Sequence, residues 1–149
     1  FNIKLPLVKA EKNNDKENVS HEYLNIKKSL TILVAEDEIT NFQYIDTVLK
    51  KSGFNVLHAS DGAEAVNHVK NNKEIDLILM DVKMPVLDGY SATKQIRNFN
   101  KSVRIIALTA YALSGENEKA INSGCNDYIA KPVKKESLLK IINKNIAKS

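Results

Sequence analysis

The chain has 149 residues and a net charge of +4, with 43% hydrophobic and 27% charged residues, which suits one soluble globular domain with a substantial core and a tail. No apolar run approaches the length of a membrane span, and no basic patch indicates a nucleic-acid partner. The single cysteine, Cys125, cannot form an internal disulfide, so we expect a reducing compartment and a cytoplasmic location.

The first 29 residues differ in character from the rest of the chain. Residues 1–7 alternate apolar and polar side chains until Pro6, which is the pattern of a short strand. Residues 8–29 are rich in Lys, Asn and Glu and poor in apolar side chains, so they cannot repay the entropy of ordering and are predicted to be a linker. Because the first residue is Phe1 rather than Met, we expect an excised fragment whose compact domain spans residues 30–149.

From residue 30 onward, short apolar strands alternate with helical patterns. The fourth helical pattern is polar and has only Ala120 and Ile121 as an apolar pair, so its sides should be largely exposed. The predicted strands are residues 31–35, 54–59, 75–80, 103–108 and 127–130, and the predicted helices are residues 41–52, 61–72, 90–99, 114–123 and 135–147.

Asp81 follows the run Leu77–Met80, which is apolar throughout, as expected of a strand buried on both faces of a parallel sheet. Because ligands bind at the carboxyl ends of parallel strands, a carboxylate placed just past the last buried residue should stand at the functional edge. Met84-Pro85 and Asp88-Gly89 are turn residues that leave the following loop free to wrap this carboxylate. An exposed Asp at a strand end is often only a helix cap, so its neighbours decide its role.

Those neighbours follow from the predicted topology. Five strands alternating with five helices predict right-handed crossovers and an α/β fold with helices on both faces of a parallel sheet. The natural guess is a doubly wound, flavodoxin-like sheet with strand order 2-1-3-4-5, whose switch point lies between the first and third strands. This order places Glu36 and Asp37 beside Asp81, with Thr109 and Lys131 arriving from the next strands.

These strand-end residues resemble the receiver domain of two-component signalling proteins, over the stretch from about Thr31 to Ala147. The resemblance is carried by Glu36-Asp37, the run from Asp81 to Gly89, Thr109-Ala110, Tyr128 and Lys131-Pro132. It implies a phosphoacceptor domain of a phosphorelay, in which Asp81 takes a phosphoryl group from a phosphohistidine. Such a domain is not a stand-alone enzyme beyond promoting its own phosphorylation and dephosphorylation.

The resemblance also implies a Mg²⁺ site. Three neighbouring carboxylates repel one another and the incoming phosphate, so a hard divalent cation is needed to hold them together. Asp37 and Asp81 would ligate the ion directly, and the backbone carbonyl of Lys83 would be the third ligand from the protein. Glu36 would act through water.

Lys131 would place its ammonium on a phosphoryl oxygen, and its peptide bond to Pro132 should be cis, as is typical of the family. Thr109 would donate its hydroxyl to another oxygen, and Tyr128 would follow it inward, so that the surface around the fourth helix and fifth strand switches. Position alone suggests that Lys83 and Tyr111 border the path of the water that hydrolyses the acyl phosphate.

Residues 1–7 resemble the closing strand of the ATP-binding domain of histidine kinases, followed here by the linker at residues 8–29. Hybrid sensor histidine kinases have this order, so we expect such a parent, which could itself be anchored in a membrane without membrane contact by this fragment. The expected donor is the parent's phosphohistidine domain, and the expected acceptor is a histidine phosphotransfer or output domain. A free-standing regulator is the alternative parent.

Three rival functions are open at this point. A degenerate receiver would keep the shape and act as an interaction module without taking phosphate. A magnesium-dependent phosphatase with an aspartate nucleophile would need a second Asp two positions on, where this chain has Lys83. A flavin-binding domain would need a phosphate-cradling loop after the first strand, where Glu36 and Asp37 would repel the ligand.

Overall fold

The computed structural model describes residues 29–110 and 115–147. The compact unit that contains the sheet begins at Thr31. The predicted strand at residues 1–7, the predicted linker up to residue 28 and Tyr111 all lie outside the described residues. The division of the first 29 residues therefore stays a prediction.

Five parallel strands form one sheet in the order β2-β1-β3-β4-β5, which confirms the predicted doubly wound topology. Consecutive strands are joined by helices because parallel neighbours need crossover connections. The strands are β1 (Thr31–Ala35), β2 (Asn55–Ala59), β3 (Ile75–Asp81), β4 (Arg104–Thr109) and β5 (Asp127–Ala130).

Among the described residues, five helices cover the sheet, and two of them start at the acidic caps that their sequences contain. The Asp61 side chain accepts a hydrogen bond from the backbone N–H of Glu64 at 2.8 Å, and Asp88 accepts one from Ser91 at 2.9 Å. The helices are α1 (Ile39–Lys51), α2 (Gly62–Asn71), α3 (Gly89–Phe99), α4 (Glu116–Ser123) and α5 (Lys135–Ala147).

The core lies on both faces of the sheet. One cluster of buried residues joins the strands to α2, α3 and α4, and a second joins them to α1 and α5. Burial on both faces explains why the central strands have almost continuous apolar sequences. Ile78 packs into the first cluster, and its neighbour Leu79 packs into the second.

Two features differ from what the sequence pattern indicates. Asp81 does not follow the last buried residue but belongs to β3 and is 4% exposed, because its backbone stays in register with Leu108 of β4. Phe99 follows Thr93 and Ile96 at helical spacing in the sequence, yet it is 44% exposed, whereas Ala92 is buried. The peptide bond between Lys131 and Pro132 is cis, as expected.

Within the part of the chain that the structure describes, no helix is long and apolar enough to cross a membrane.

An acidic pocket at the carboxyl ends of the strands

Three carboxylates meet where β1 and β3 end. One ligand oxygen from each of Glu36, Asp37 and Asp81 lies within 4.8 Å of the others. Glu36 is fully buried and Asp81 nearly so, whereas Asp37 is exposed. Charges at this separation repel strongly in a partly desolvated site, so the cluster needs positive charge nearby.

Lys131 supplies positive charge from the end of β5. Its Nζ lies 3.0 Å from Glu36 Oε2 and 3.0 Å from Asp81 Oδ2, so one ammonium bridges the two buried acids. The backbone N–H of Lys131 donates to the Thr109 carbonyl at 2.7 Å, which anchors the base of this side chain to the end of β4. The second oxygen of Glu36 accepts a hydrogen bond from the backbone N–H of Glu38 at 3.0 Å.

This environment shifts the pKa values of both partners. Burial raises the pKa of Asp81 to about 6, and the negative charge of Glu36 adds to the effect, although Lys131 opposes it. Burial by itself would lower the pKa of Lys131, but hydrogen bonds to Glu36 and Asp81 raise that pKa above its ordinary value. One ammonium therefore does not balance the acidic charge of the cluster.

Of the other predicted site residues, Thr109 and Lys83 lie around the same opening and Tyr128 does not. Thr109, the last residue of β4, is 3% exposed and lines one pocket together with Asp81 and Lys131. Lys83 is exposed at the rim, and its backbone N–H donates a long hydrogen bond of 3.3 Å to Asp81 Oδ1. Tyr128 is not among the described residues that line the pocket; it is half-buried and packs against the core cluster beneath α2, α3 and α4.

The loop after β3 is packed tightly against the strand end. The backbone N–H of Gly89 donates to the Val82 carbonyl at 2.8 Å, and a Cβ on Gly89 would overlap the carbonyl oxygen of Asp81. Val86 has a φ of +68°, which is unfavourable for a β-branched residue, and its side chain is 82% exposed. The loop therefore fixes the backbone of Asp81 and projects an apolar side chain outward.

Some pocket residues were not predicted from the sequence. Tyr90, Glu116 and Lys119 also line the pocket, and the Tyr90 hydroxyl donates to Glu116 Oε2 at 2.6 Å. Tyr90 and Glu116 are 26 positions apart. No periodicity in the sequence connects a tyrosine at the start of one helix with a glutamate at the start of the next. The polar character of both helix starts was the available signal, and it does not specify a partner.

Two properties define what the site can hold. Carboxylate oxygens at the open edge are the ligands that a hard divalent cation such as Mg²⁺ prefers, and the excess of acidic charge favours such an ion. Beside it lies an apolar groove of about 540 Å³, lined by Tyr44, Ile45, Ala110, Pro132 and Val133 together with Glu36, Asn41 and Lys131.

The fold and the site together define a doubly wound α/β domain with an acidic, lysine-containing pocket at its switch point. A profile of the response regulator receiver domain family matches residues 32–143. The chain belongs to this family.

Relatives with similar sequences include histidine kinases that contain such domains. Hybrid signal transduction histidine kinase I of Dictyostelium discoideum is 42% identical over 125 residues, which cover 78% of this chain and 7% of that protein. Sensor protein GacS of Pseudomonas syringae pv. syringae is 36% identical over 118 residues, which cover 76% of this chain and 13% of that protein. The chain thus spans only a small part of the length of these relatives.

Solved receiver domains share the fold. The receiver domain of sensor histidine kinase PA1611 from Pseudomonas aeruginosa, solved with a magnesium ion coordinated in its active site cleft, is 42% identical, with a TM-score of 0.75, and the match covers 80% of this chain and 98% of that chain. A second match is the co-crystal structure of the Saccharomyces cerevisiae histidine phosphotransfer protein Ypd1 with the receiver domain of the response regulator Ssk1. The sequence identity is 38% and the TM-score is 0.75, and the match covers 78% of this chain and 88% of that chain.

Proposed function

We propose that this receiver domain accepts a phosphoryl group on Asp81 in a phosphorelay. The observation that carries the proposal is the position of this carboxylate. It ends the central strand, it is held 3.0 Å from the Lys131 ammonium, and it shares an open pocket with Asp37. A buried aspartate with cationic partners and access to solvent is suited to nucleophilic attack on phosphorus.

The chemistry balances as a transfer between two protein side chains. A bond forms between an Asp81 oxygen and phosphorus as the bond between phosphorus and the donor imidazole nitrogen breaks, and the imidazole keeps the electron pair. Lys131 stabilises negative charge on the phosphoryl oxygens, and Thr109 donates its hydroxyl to one of them. When Mg²⁺ is bound, it neutralises charge on the phosphoryl oxygens and on the carboxylates.

Asp37, Asp81 and the backbone carbonyl of Lys83 are the groups that would hold Mg²⁺. Glu36 would contact Mg²⁺ through water, and its hydrogen bonds support a second role beside metal binding. Both of its oxygens accept hydrogen bonds, one from Lys131 and one from the backbone of Glu38. In the absence of phosphate, Glu36 therefore positions the lysine.

The switch that we propose begins at Thr109. Its hydroxyl gains a phosphoryl partner only after transfer, so phosphorylation favours an arrangement of the following loop that the free domain lacks. Tyr128 would move with that loop, and the surface around α4 and β5 would change. The half-buried position of Tyr128 supports this assignment because part of its side chain is still exposed to solvent and can become buried.

The donor and the parent protein are part of the same proposal. We infer a hybrid histidine kinase parent in the cytoplasm, in which residues 1–7 close an ATP-binding domain and residues 8–29 link it to the receiver. A phosphohistidine domain of the parent would donate, and a histidine phosphotransfer or output domain would accept. The apolar groove beside Lys131, together with the 57% exposed Ile39, suits a protein surface better than a small donor.

The rival functions receive less support. Every position that the transfer chemistry needs carries a suitable side chain, which argues against a degenerate receiver. Lys83 stands where an aspartate-nucleophile phosphatase needs an acid, and its side chain is exposed at the rim. The acids that follow β1 would repel the phosphate of a flavin.

Phosphate uptake measured by intact mass tests the proposal. Wild-type protein incubated with Mg²⁺ and acetyl phosphate should gain one phosphoryl group, whereas Asp81→Asn should gain none. Asp76→Asn is the matched control because Asp76 lies on the same strand but is exposed, where its carboxylate accepts a hydrogen bond from the Thr31 backbone N–H at 2.8 Å. Equal uptake by wild type and Asp81→Asn would place the acceptor elsewhere, and no uptake by either would support a degenerate receiver.

A further inference from the structure

The first turn of α4 is tied to the first turn of α3 by one short hydrogen bond. The Tyr90 hydroxyl donates to Glu116 Oε2 at 2.6 Å and also lies 3.5 Å from the Glu116 backbone carbonyl. A hydroxyl that donates to a carboxylate at this distance makes a charge-assisted bond, which is stronger than one between neutral groups.

The two ends of this bond stand on very different supports. Tyr90 follows Gly89, whose backbone is packed against the carbonyl of Asp81, and its ring packs against the core. Glu116 begins a helix of eight residues in which Ala120 and Ser123 are buried, and its N-cap is Gly115, which has no side chain to accept a capping hydrogen bond. The bond therefore connects a fixed wall of the pocket to a helix with little burial of its own.

Charge makes this bond sensitive to the state of the pocket. Tyr90 and Glu116 line the same opening as Asp81 and Thr109. A phosphorylated side chain carries about −1.5 to −2 charge at neutral pH, which is more than the single charge of the carboxylate that it replaces, so transfer to Asp81 adds repulsion to the Glu116 carboxylate. Lys119, whose Nζ lies 3.6 Å from Glu116 Oε1 and is largely exposed, screens this repulsion only in part.

We propose that the hydrogen bond between Tyr90 and Glu116 positions α4 in the unphosphorylated domain and that a phosphoryl group on Asp81 weakens this bond. We call this hydrogen-bonded pair the latch. Tyr90 and Glu116 are positioning residues and do not touch the reacting atoms. The phosphoryl part of this inference rests on the proposed function, whereas the holding of α4 does not. Loss of the Tyr90 hydroxyl should free α4 without phosphate, and loss of the Glu116 charge should reduce the response of α4 to phosphate.

Amide hydrogen exchange, resolved to α4 and α5, tests the latch in the unphosphorylated protein. Tyr90→Phe should speed exchange in Glu116–Ser123 about tenfold, the change expected from losing one charge-assisted hydrogen bond, while exchange in α5 stays unchanged. Tyr44→Phe is the matched control because Tyr44 is 45% exposed on α1 and its truncation should leave α4 as in wild type. Exchange in α4 that is equal in wild type and Tyr90→Phe overturns the latch.

The same measurement after incubation with Mg²⁺ and acetyl phosphate tests the phosphoryl coupling. Phosphorylation should speed α4 exchange in wild type, should add little in Tyr90→Phe, and should have a reduced effect in Glu116→Gln, whose amide oxygen can still accept from Tyr90 without charge. Additive effects of phosphate and Tyr90→Phe overturn the coupling. Absence of phosphate on wild type by intact mass overturns the proposed function and the coupling with it, while the unphosphorylated exchange data still decide the latch.

Discussion

The strand end and the fourth helix border the same pocket but are built in opposite ways. At the strand end, Asp81 and Glu36 are buried, share Lys131 and sit on backbone that is fixed by neighbouring strands. In α4, the exposed side chains outnumber the buried ones, and no atom of the described residues lies within 4 Å of a Cβ built on Gly115 at its start.

The difference indicates how a small domain can combine fixed chemistry with a movable surface. Phosphoryl transfer needs reacting groups held within fractions of an ångström, which dense packing provides. A surface that reports the outcome needs two arrangements of similar free energy, and an element with few buried contacts provides that. The predictions below test this contrast, from the largest expected effect to the smallest.

The contrast is tested most strongly at two glycines. Gly89→Ala should lower the free energy of unfolding by about 3 kcal/mol or more and abolish phosphate uptake, because its Cβ would overlap the Asp81 backbone. Gly115→Ala meets no atom of the residues that the structure describes and should cost only about 1–2 kcal/mol, because Gly115 has a φ of +110°. Urea unfolding of both variants measures these costs, and equal costs would contradict the contrast.

Magnesium should stabilise the strand end. At a concentration 100 times its Kd, Mg²⁺ should raise the free energy of unfolding by about 2.7 kcal/mol, and Asp37→Asn should lose most of this gain because one ligand charge is gone. Asp61→Asn is a suitable control, since Asp61 caps α2 and Asn is an equally good cap. Thermal unfolding across a Mg²⁺ titration measures the effect. An unchanged gain in Asp37→Asn would remove this residue from the site.

Without metal, the charge of Asp81 should destabilise the fold. Burial raises the pKa of Asp81 from its ordinary 3.8 to about 6, so the folded protein holds this proton more tightly than the unfolded chain. The contribution of protonated Asp81 to the free energy of unfolding is complete below pH 3.8 and is lost as the pH rises to about 6. Asp81→Asn should therefore be about 1–3 kcal/mol more stable than wild type at pH 7 in EDTA, with the difference shrinking below pH 4. Urea unfolding at both pH values would contradict this if the difference did not depend on pH.

The smallest effect is expected on the exposed side of α4. Ile121 is 55% exposed, so Ile121→Ala should change the free energy of unfolding by no more than about 0.5 kcal/mol. Ile96→Ala, a fully buried isoleucine on the adjacent α3, should cost about 2–5 kcal/mol. A large cost at Ile121 in urea unfolding would mean that α4 is held more firmly than its burial indicates.

The backbone layout of the pocket could be predicted from the sequence because strand ends are local signals. Apolar runs that stop at Ala35, Met80 and Leu108 indicated which polar residues would meet, and the strand order brought them together. The resemblance to receiver domains correctly implied the cis bond before Pro132.

The burial of Asp81 and the partners of individual side chains could not be predicted in the same way. Whether β3 continues through Asp81 depends on pairing with β4, which the sequence of one strand does not contain. The bond between Tyr90 and Glu116 depends on how two helices dock. Arg97 shows the same limit, since its guanidinium donates to the carbonyls of Val103 and Gly124, which lie outside its own helix.

The site of Cys125 gives the chain an internal chemical reporter. This thiol directly follows the turn that ends α4, is 5% exposed, and has its pKa raised by burial, so it should react slowly with thiol reagents while the turn is closed. Since the sequence contains one cysteine, any acceleration of labelling is read at a single position. The rate at which a coloured disulfide reagent modifies the unaltered protein would then register, in real time, each opening of the segment between α4 and β5.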